Sequence, residues 1–509
     1  MQSHIKSMES LSKAFVFSLS TRAWTALLSL AAMPLYLRYL GAEAFGVVGL
    51  FLSVQVIVGF FDFGLGATLT RQISISESRK DFSNSANQAL TFEIAFLLLT
   101  TVVSIVLVVS TPLIATHWIQ DSTIDKDALS KILVLASISI AALLPTTIYS
   151  AALIGLQRQT SLAIAQFCFI SFRVGITILL LQWDNNLAVF FAAQIFCSLS
   201  QSWGTRWLLW RNLKLSQKEA SVQFALLMHG AKFTAGTLGI SLTTLLLTQI
   251  DKVILSRILT LSEFGVYVLC TTLANGIYVV IQPVFNLLFP RFSHLHEKND
   301  EHSIVNLYRL ASQAIAVLII PITMLILFFS TETLLVWTGN KEISILAAPV
   351  LQLLIATNAI NGLMNMPYVL QLSHGWTSLA LRVNYVAIVI LIPALIWTST
   401  KLGAIGAALI GLVLQLSIII FVPYLTHQRC LKQEKKYWYL YSVLIPIILS
   451  AVFMAIFKEL LITQYSHIVL VFQMIVAWLL TTLCLAYLLP EIRKFIKNTM
   501  PSLTQVLRK

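Results

Sequence analysis

Apolar runs of twenty or more residues follow one another along almost the whole chain, separated by short polar connections. No other feature restricts the fold as strongly. A helix of about 20 residues crosses the hydrocarbon core and satisfies its own backbone hydrogen bonds, as lipid requires. A membrane barrel would instead show alternating segments of about ten residues. Composition agrees: of 509 residues, 58% are hydrophobic and 11% charged. A soluble domain carries about 25% charged residues, and this chain has too few to cover a surface facing water. The expected fold is an all-α membrane protein of about 14 transmembrane helices with almost nothing outside the bilayer. Its expected work is movement of something across a membrane.

The spans are placed at residues 15–37, 46–70, 89–115, 132–156, 161–182 and 187–210, then 233–254, 264–289, 304–330, 343–370, 378–397 and 402–425, and finally 438–457 and 467–489. The first run carries Arg22 and reads as a transmembrane helix rather than a cleaved signal. The net charge of +13 does not form one patch or stripe. Its residues cluster in short segments such as Arg206, Arg211, Lys214 and Lys218, and Arg429, Lys432, Lys435 and Lys436. Cytoplasmic loops are marked in this way, so both termini are expected inside and no nucleic-acid partner is expected. The five cysteines form no CxxC or Cys/His cluster, and no GxxxxGK[ST] loop is present. The chain is therefore expected to have no metal, no cofactor and no nucleotide hydrolysis of its own.

The chain also resembles itself at an offset of 219 residues. RYLGAEAFGVVGL from Arg38 parallels RILTLSEFGVYVL from Arg257, and Tyr149 parallels Tyr368. TSLA at 160–163 returns at 377–380, an offset of 217. An even number of spans separates the copies, so they share an orientation and form a parallel repeat. The expected organisation is a six-helix lobe at 1–210, a basic cytoplasmic linker at 211–232 and a second six-helix lobe at 233–425. Two extra helices and a basic tail follow at 426–509. Two such lobes around a central cavity suit alternating access.

An ionised side chain inside a bilayer costs roughly 2.5–3.5 kcal/mol on insertion scales, so each needs a partner or a wet route. Arg22 and Arg173 lie too deep in the first and fifth spans to reach an interface. Each is expected either to face cargo or to pair with an acid such as Glu93 or Asp62. Arg382, one turn into its span, is expected to snorkel to headgroups, and Lys232 to be interfacial. Asp62 precedes Gly64 and Gly66, which allow a kink or close packing. It and Asp251 are candidates for ion coupling or charge pairing, although a bridge from Asp251 to its neighbour Lys252 is not expected. Asn358, Asn361 and Asn365 recur at helical spacing, either to bond neighbouring helices or to line the cargo route. His117, His294, His296 and His302 are expected in loops. The outer loop with Asp121, Asp125 and Asp127 is too short for a folded catalytic site.

The run LYLRYLGAEAFGVVGLFLSVQVIVGFFDFGLGATLTRQIS, from Leu35 to Ser74, resembles the opening of the polysaccharide flippases that move undecaprenyl-linked O-antigen units. LLTQIDKVILSRILTLSEFGVYVL, from Leu246 to Leu269, resembles the start of that family's second lobe. The motifs are shared with multidrug exporters and lipid II flippases of the same superfamily. The resemblance implies a fourteen-helix protein of the bacterial cytoplasmic membrane. Its implied partners are a lipid-linked oligosaccharide, membrane lipids and other polysaccharide assembly proteins. It implies that Arg22 and Arg173 compensate the cargo's diphosphate. The same fold also serves drug and cation exporters, which favour an acid in the first span where this chain has Arg22. A membrane polymerase or glycosyltransferase acting on the same lipids is the remaining alternative.

Overall fold

The computed structural model describes residues 21, 23–62, 64–119, 124–213, 217, 219–460 and 467–507. All regular structure among them is helical. Eleven of these helical stretches are long and apolar enough to cross a membrane. The eleventh and twelfth expected spans share one 53-residue helix, and the first lies partly outside the described residues.

Packing divides the chain into two compact units, Met1–Val268 and Leu269–Lys509. The first opens with α1 (residues 23–40), α2 (Ala42–Gly59), α3 (Leu65–Ser78) and α4 (Phe82–Leu113). It continues through α5 (Lys126–Leu143), α6 (Pro145–Gly155), α7 (Gln159–Trp183) and α8 (Leu187–Asn212). It ends with α9 (Ala225–Ile258) and the first half of α10 (Leu261–Asn275). The second unit takes the rest of α10, then α11 (Tyr278–Glu297), α12 (Glu301–Phe328), α13 (Ser330–Thr338), α14 (Lys341–Leu363) and α15 (Asn365–Ser373). It closes with α16 (Ser378–Cys430), α17 (Glu434–Trp438), α18 (Ile445–Leu460), α19 (His467–Leu488) and α20 (Pro490–Leu507).

Expected spans and observed helices differ where polar residues still favour helix. The seventh span begins eight residues early, at Ala225, which shortens the basic linker. The eighth runs on to Glu297, so His294 and His296 sit on a helix rather than in a loop. His302 falls in the first turn of α12, and His117 in the π-helical turn Ile114–Trp118 that continues α4. Asp125 is not a loop acid but the N-cap of α5, accepting from Ala128 N at 3.1 Å. Asp121 lies outside the described residues.

Helix boundaries recur at the offset the sequence echoes announce. The starts of α2 and α10, the ends of α3 and α11 and the starts of α7 and α16 all stand 219 residues apart. So do two positive-φ residues, Lys80 and Asn299. Each is followed by an aspartate that caps the next helix: Asp81 accepts from Asn84 N at 3.1 Å and Asp300 from Ser303 N at 3.0 Å. A short oxygen acceptor at the N-cap satisfies one of the helix's unpaired N–H groups, so both copies stop and restart the chain by one device. The Ser303 hydroxyl, and after it the capping N–H of the same residue, hold the Asp300 carboxyl below its ordinary value.

Glycines fix the remaining geometry at two places. In α16, Gly403 takes φ 57°, ψ −135°, at the head of the twelfth expected span. Only glycine enters that region without strain. The chain folds back there so closely that a Cβ on Gly406 would lie 2.3 Å from Thr398 O. In the first unit, Phe45 and Phe264 are buried equivalents on α2 and α10, and the glycines that follow them meet. A Cβ on Gly46 would lie 1.9 Å from Leu261 O, and one on Gly265 2.9 Å from Gly46 N.

Candidate functional site

The least apolar of the candidate spans, α8 with a mean hydropathy of 1.2, organises the polar interior of the first unit. Gln194, Ser198 and Gln201 recur at helical spacing along it and face Arg173 of α7. The guanidinium donates to Gln194 Oε1 at 3.1 Å, Ser198 Oγ at 3.4 Å and Gln201 Oε1 at 2.9 Å. Gln194 in turn donates to Thr177 Oγ1 at 3.2 Å, one turn beyond Arg173. Arg173 is 9% exposed. Among the described residues no carboxylate reaches it, so its geometry is satisfied by neutral dipoles while its charge is not cancelled. Of the two readings for Arg173, the ion pair with Glu93 or Asp62 does not form.

Glu93 has another partner. Its carboxylate, on α4, is buried and takes the Nε–H of Arg206, Tyr149 OH at 3.1 Å and Trp210 Nε1 at 3.1 Å. Arg206 and Trp210 stand four residues apart on α8, one turn of the same face. Glu93 is therefore neutralised and bonded from α6 and α8 at once. The sequence signal was present in the basic and aromatic end of α8, but nothing local ties it to an acid 113 residues earlier.

Asp62 sits at the break between α2 and α3, where Phe60–Asp62 forms a short 3-10 turn. Its Oδ1 accepts from Gly64 N at 2.9 Å, so it shapes the kink, and no arginine among the described residues reaches it. Asp251 corrects another expectation. Lys252 Nζ lies 3.3 Å from Asp251 Oδ1 and also donates to Thr248 O at 3.1 Å. The flexible lysine stem bends back along the helix, which neighbouring Cβ directions alone would not show. Tyr267 OH completes this site, donating to Asp251 Oδ2 at 2.6 Å.

In the second unit the asparagine stripe staples a break. The chain between α10 and α11 is flanked by Asn275 and Tyr278. Asn358 Nδ2 donates to Asn275 Oδ1 and Tyr278 OH to Asn361 Oδ1, both at 3.0 Å. Asn365, the first residue of α15, instead bonds the carbonyls of Asn361 and Gly362 at the end of α14. Arg382 is exposed near the start of α16. Arg22 and the Lys232 side chain lie outside the described residues.

A second polar network had no forecast from the sequence. Arg309 of α12 grips Glu434 through two bonds, of 2.7 and 2.6 Å, and its guanidinium lies 4.3 Å from the Tyr437 ring centre. Gln313 donates its Nε2–H to Tyr437 OH at 3.2 Å and accepts from Glu491 N at 2.9 Å through its Oε1. Nearby, Tyr308 OH and His427 Nε2 lie 2.9 Å apart. These bonds fasten α17 and the head of α20 to α12.

The helical architecture, with eleven helices long and apolar enough to cross a membrane among the described residues, is that of a polytopic membrane protein with the fold of the MOP-superfamily transporters. Solved structures bear this out. A multidrug resistance MATE family transporter of that superfamily superposes with a TM-score of 0.66 at 14% identity, covering 83% of this chain and 99% of its own. The lipid II flippase MurJ superposes with a TM-score of 0.71 at 14% identity, covering 95% of this chain and 99% of its own. A MATE transporter variant from Vibrio cholerae reaches 0.55 at 16% identity, covering 85% and 100%. None of the curated proteins matches the chain in sequence. A family described as polysaccharide biosynthesis protein matches residues 10–296, and the chain belongs to that family.

Proposed function

We propose that this protein is a flippase that carries an undecaprenyl-diphosphate-linked oligosaccharide across the bacterial cytoplasmic membrane by alternating access. The lobes would be 1–210 and 233–425, joined by the cytoplasmic linker 211–232, with both termini inside and 426–509 added to the second lobe. The recurrence of helix boundaries and caps at 219 residues supports two parallel lobes. The oligosaccharide is an O-antigen or another surface-glycan repeat unit, and other polysaccharide assembly proteins are its partners.

The observation that carries this reading is Arg173. A buried arginine facing a carboxylate is neutralised by it, but Arg173 is held by two amide oxygens and a hydroxyl. It keeps a positive charge that suits a diphosphate, and guanidinium matches phosphate geometry. Arg22 is proposed to add a second charge. Asn358 and Asn361, with Asn275, offer amide groups of the kind that bond sugar hydroxyls. The described acids are less suited to a cationic drug, because Glu93 is paired with Arg206 and Asp251 with Lys252.

Deletion of the gene, followed by analysis of lipid-linked sugars, tests the proposal. Complete undecaprenyl-linked units should accumulate on the cytoplasmic face and surface glycan should fall. Normal surface glycan in the deletion strain would contradict it.

A further inference from the structure

The chain ends on a helix that the transport reading does not use. α20, Pro490–Leu507, follows α19 after a bend at Leu489, so it starts where the last span leaves the bilayer. Its head is fixed. Ile492 packs against Val317, Leu485 and Leu489, and Glu491 receives a bond from Tyr437 OH at 3.1 Å while its backbone N–H donates to Gln313. Beyond the head the helix divides by face. At helical spacing Ile492, Phe495 and Ile496 fall on one side, with Arg493, Lys494 and Lys497 on the other. Phe495 is 53% and Ile496 37% exposed, and the Lys494 side chain is 67% exposed. Lys494 is engaged with Glu491 at 3.0 Å, which leaves Arg493 and Lys497 as the more available cations.

An apolar stripe beside a basic face, on a helix of modest overall hydrophobicity, is the pattern of a segment lying in the plane of a membrane interface. The occupant follows from charge and place. A spanning chain has a bilayer surface next to the end of its last span, and an anionic leaflet attracts the cations beside it. We propose that α20 is an interfacial anchor that lays its apolar side into the cytoplasmic leaflet and pairs Arg493, Lys494 and Lys497 with anionic phospholipid headgroups. The protein's seating in the membrane then depends on lipid charge through its carboxyl-terminal helix, independently of the cargo it carries.

Hydrogen exchange of the full-length protein tests this in nanodiscs of phosphatidylethanolamine alone and of phosphatidylethanolamine mixed with phosphatidylglycerol. The peptide covering Phe495–Leu507 should exchange at least ~10-fold more slowly in the anionic discs, and high salt should remove the difference. The triple variant R493Q/K494Q/K497Q should exchange equally in both discs, at the rate of the neutral ones. The comparison of two lipids uses the unaltered protein, so a poorly folding variant does not spoil it. Exchange that ignores lipid charge in the unaltered protein would overturn the proposal. So would protection that appears only with two copies per disc, because a second protein would then cover the stripe.

Discussion

Gly46 and Gly265, equivalent residues of the two repeat copies, touch each other: a Cβ on Gly265 would lie 2.9 Å from Gly46 N. The positions that match in sequence therefore meet in space within the first compact unit. Neither site has room for a methyl group, since backbone atoms cannot move aside as a side-chain tip can. G46A and G265A should each destabilise the protein by about 1–3 kcal/mol, the usual range for overpacking. G175A, in α7 where nothing lies within 4 Å, should be neutral or slightly stabilising. Thermal unfolding of the purified protein in detergent distinguishes the three.

Arg173 gives a separable pair of effects. R173K keeps the charge but loses the fork that bonds Gln194, Ser198 and Gln201, and should retain part of the transport activity. R173A should reduce surface glycan by more than ~10-fold while the protein stays inserted, because the groups left behind are neutral and less costly to bury than an ion. Removing Glu93 as well should not restore transport. Surface glycan and protein abundance are measured side by side.

Glu93 and Arg206 should behave in the opposite way. R206A leaves a buried carboxylate with Tyr149 and Trp210 as its remaining donors. It should cost about 3 kcal/mol, the low end for breaking a buried pair, because Arg206 is itself a third exposed. E93Q/R206Q should recover much of the lost abundance. Quantitative immunoblotting of membranes, with thermal unfolding, reads both variants.

His374 sets a pH dependence. It lies between α15 and α16, and burial first, then nearby His296 and Arg429, push its pKa below the ordinary histidine value. The two rings stand 4.1 Å apart. The folded protein thus binds this proton less readily than the unfolded chain does. Its stabilisation is complete above the unfolded pKa and is lost as pH falls through the folded one. The unfolding midpoint should drop on mild acidification, and H374Q should flatten that drop.

Much of the fold was legible because its causes are local. Apolar runs of span length and the echoes at Arg38 and Arg257 are one-dimensional signals, and the matching caps Asp81 and Asp300 could have been added to them. The polar interior was less legible. Which acid meets Arg206, or what surrounds Arg173, depends on helices that the chain brings together only after folding. The fold-back at Gly403 is by contrast legible, because the polar run TSTK at 398–401 separates the eleventh and twelfth expected spans just before it. Gln194, Ser198 and Gln201 carry the usable clue, a polar stripe on α8, the least apolar of the candidate spans.

The central claim is that this chain turns over a lipid-linked oligosaccharide, and reconstitution tests it most directly. Purified protein in liposomes loaded with an undecaprenyl-diphosphate oligosaccharide should move the sugar between leaflets, as read by an impermeant glycan-modifying enzyme. R173A should leave the sugar in its starting leaflet. Transfer no faster than in protein-free liposomes, alongside export of a cationic dye by the same vesicles, would contradict the account.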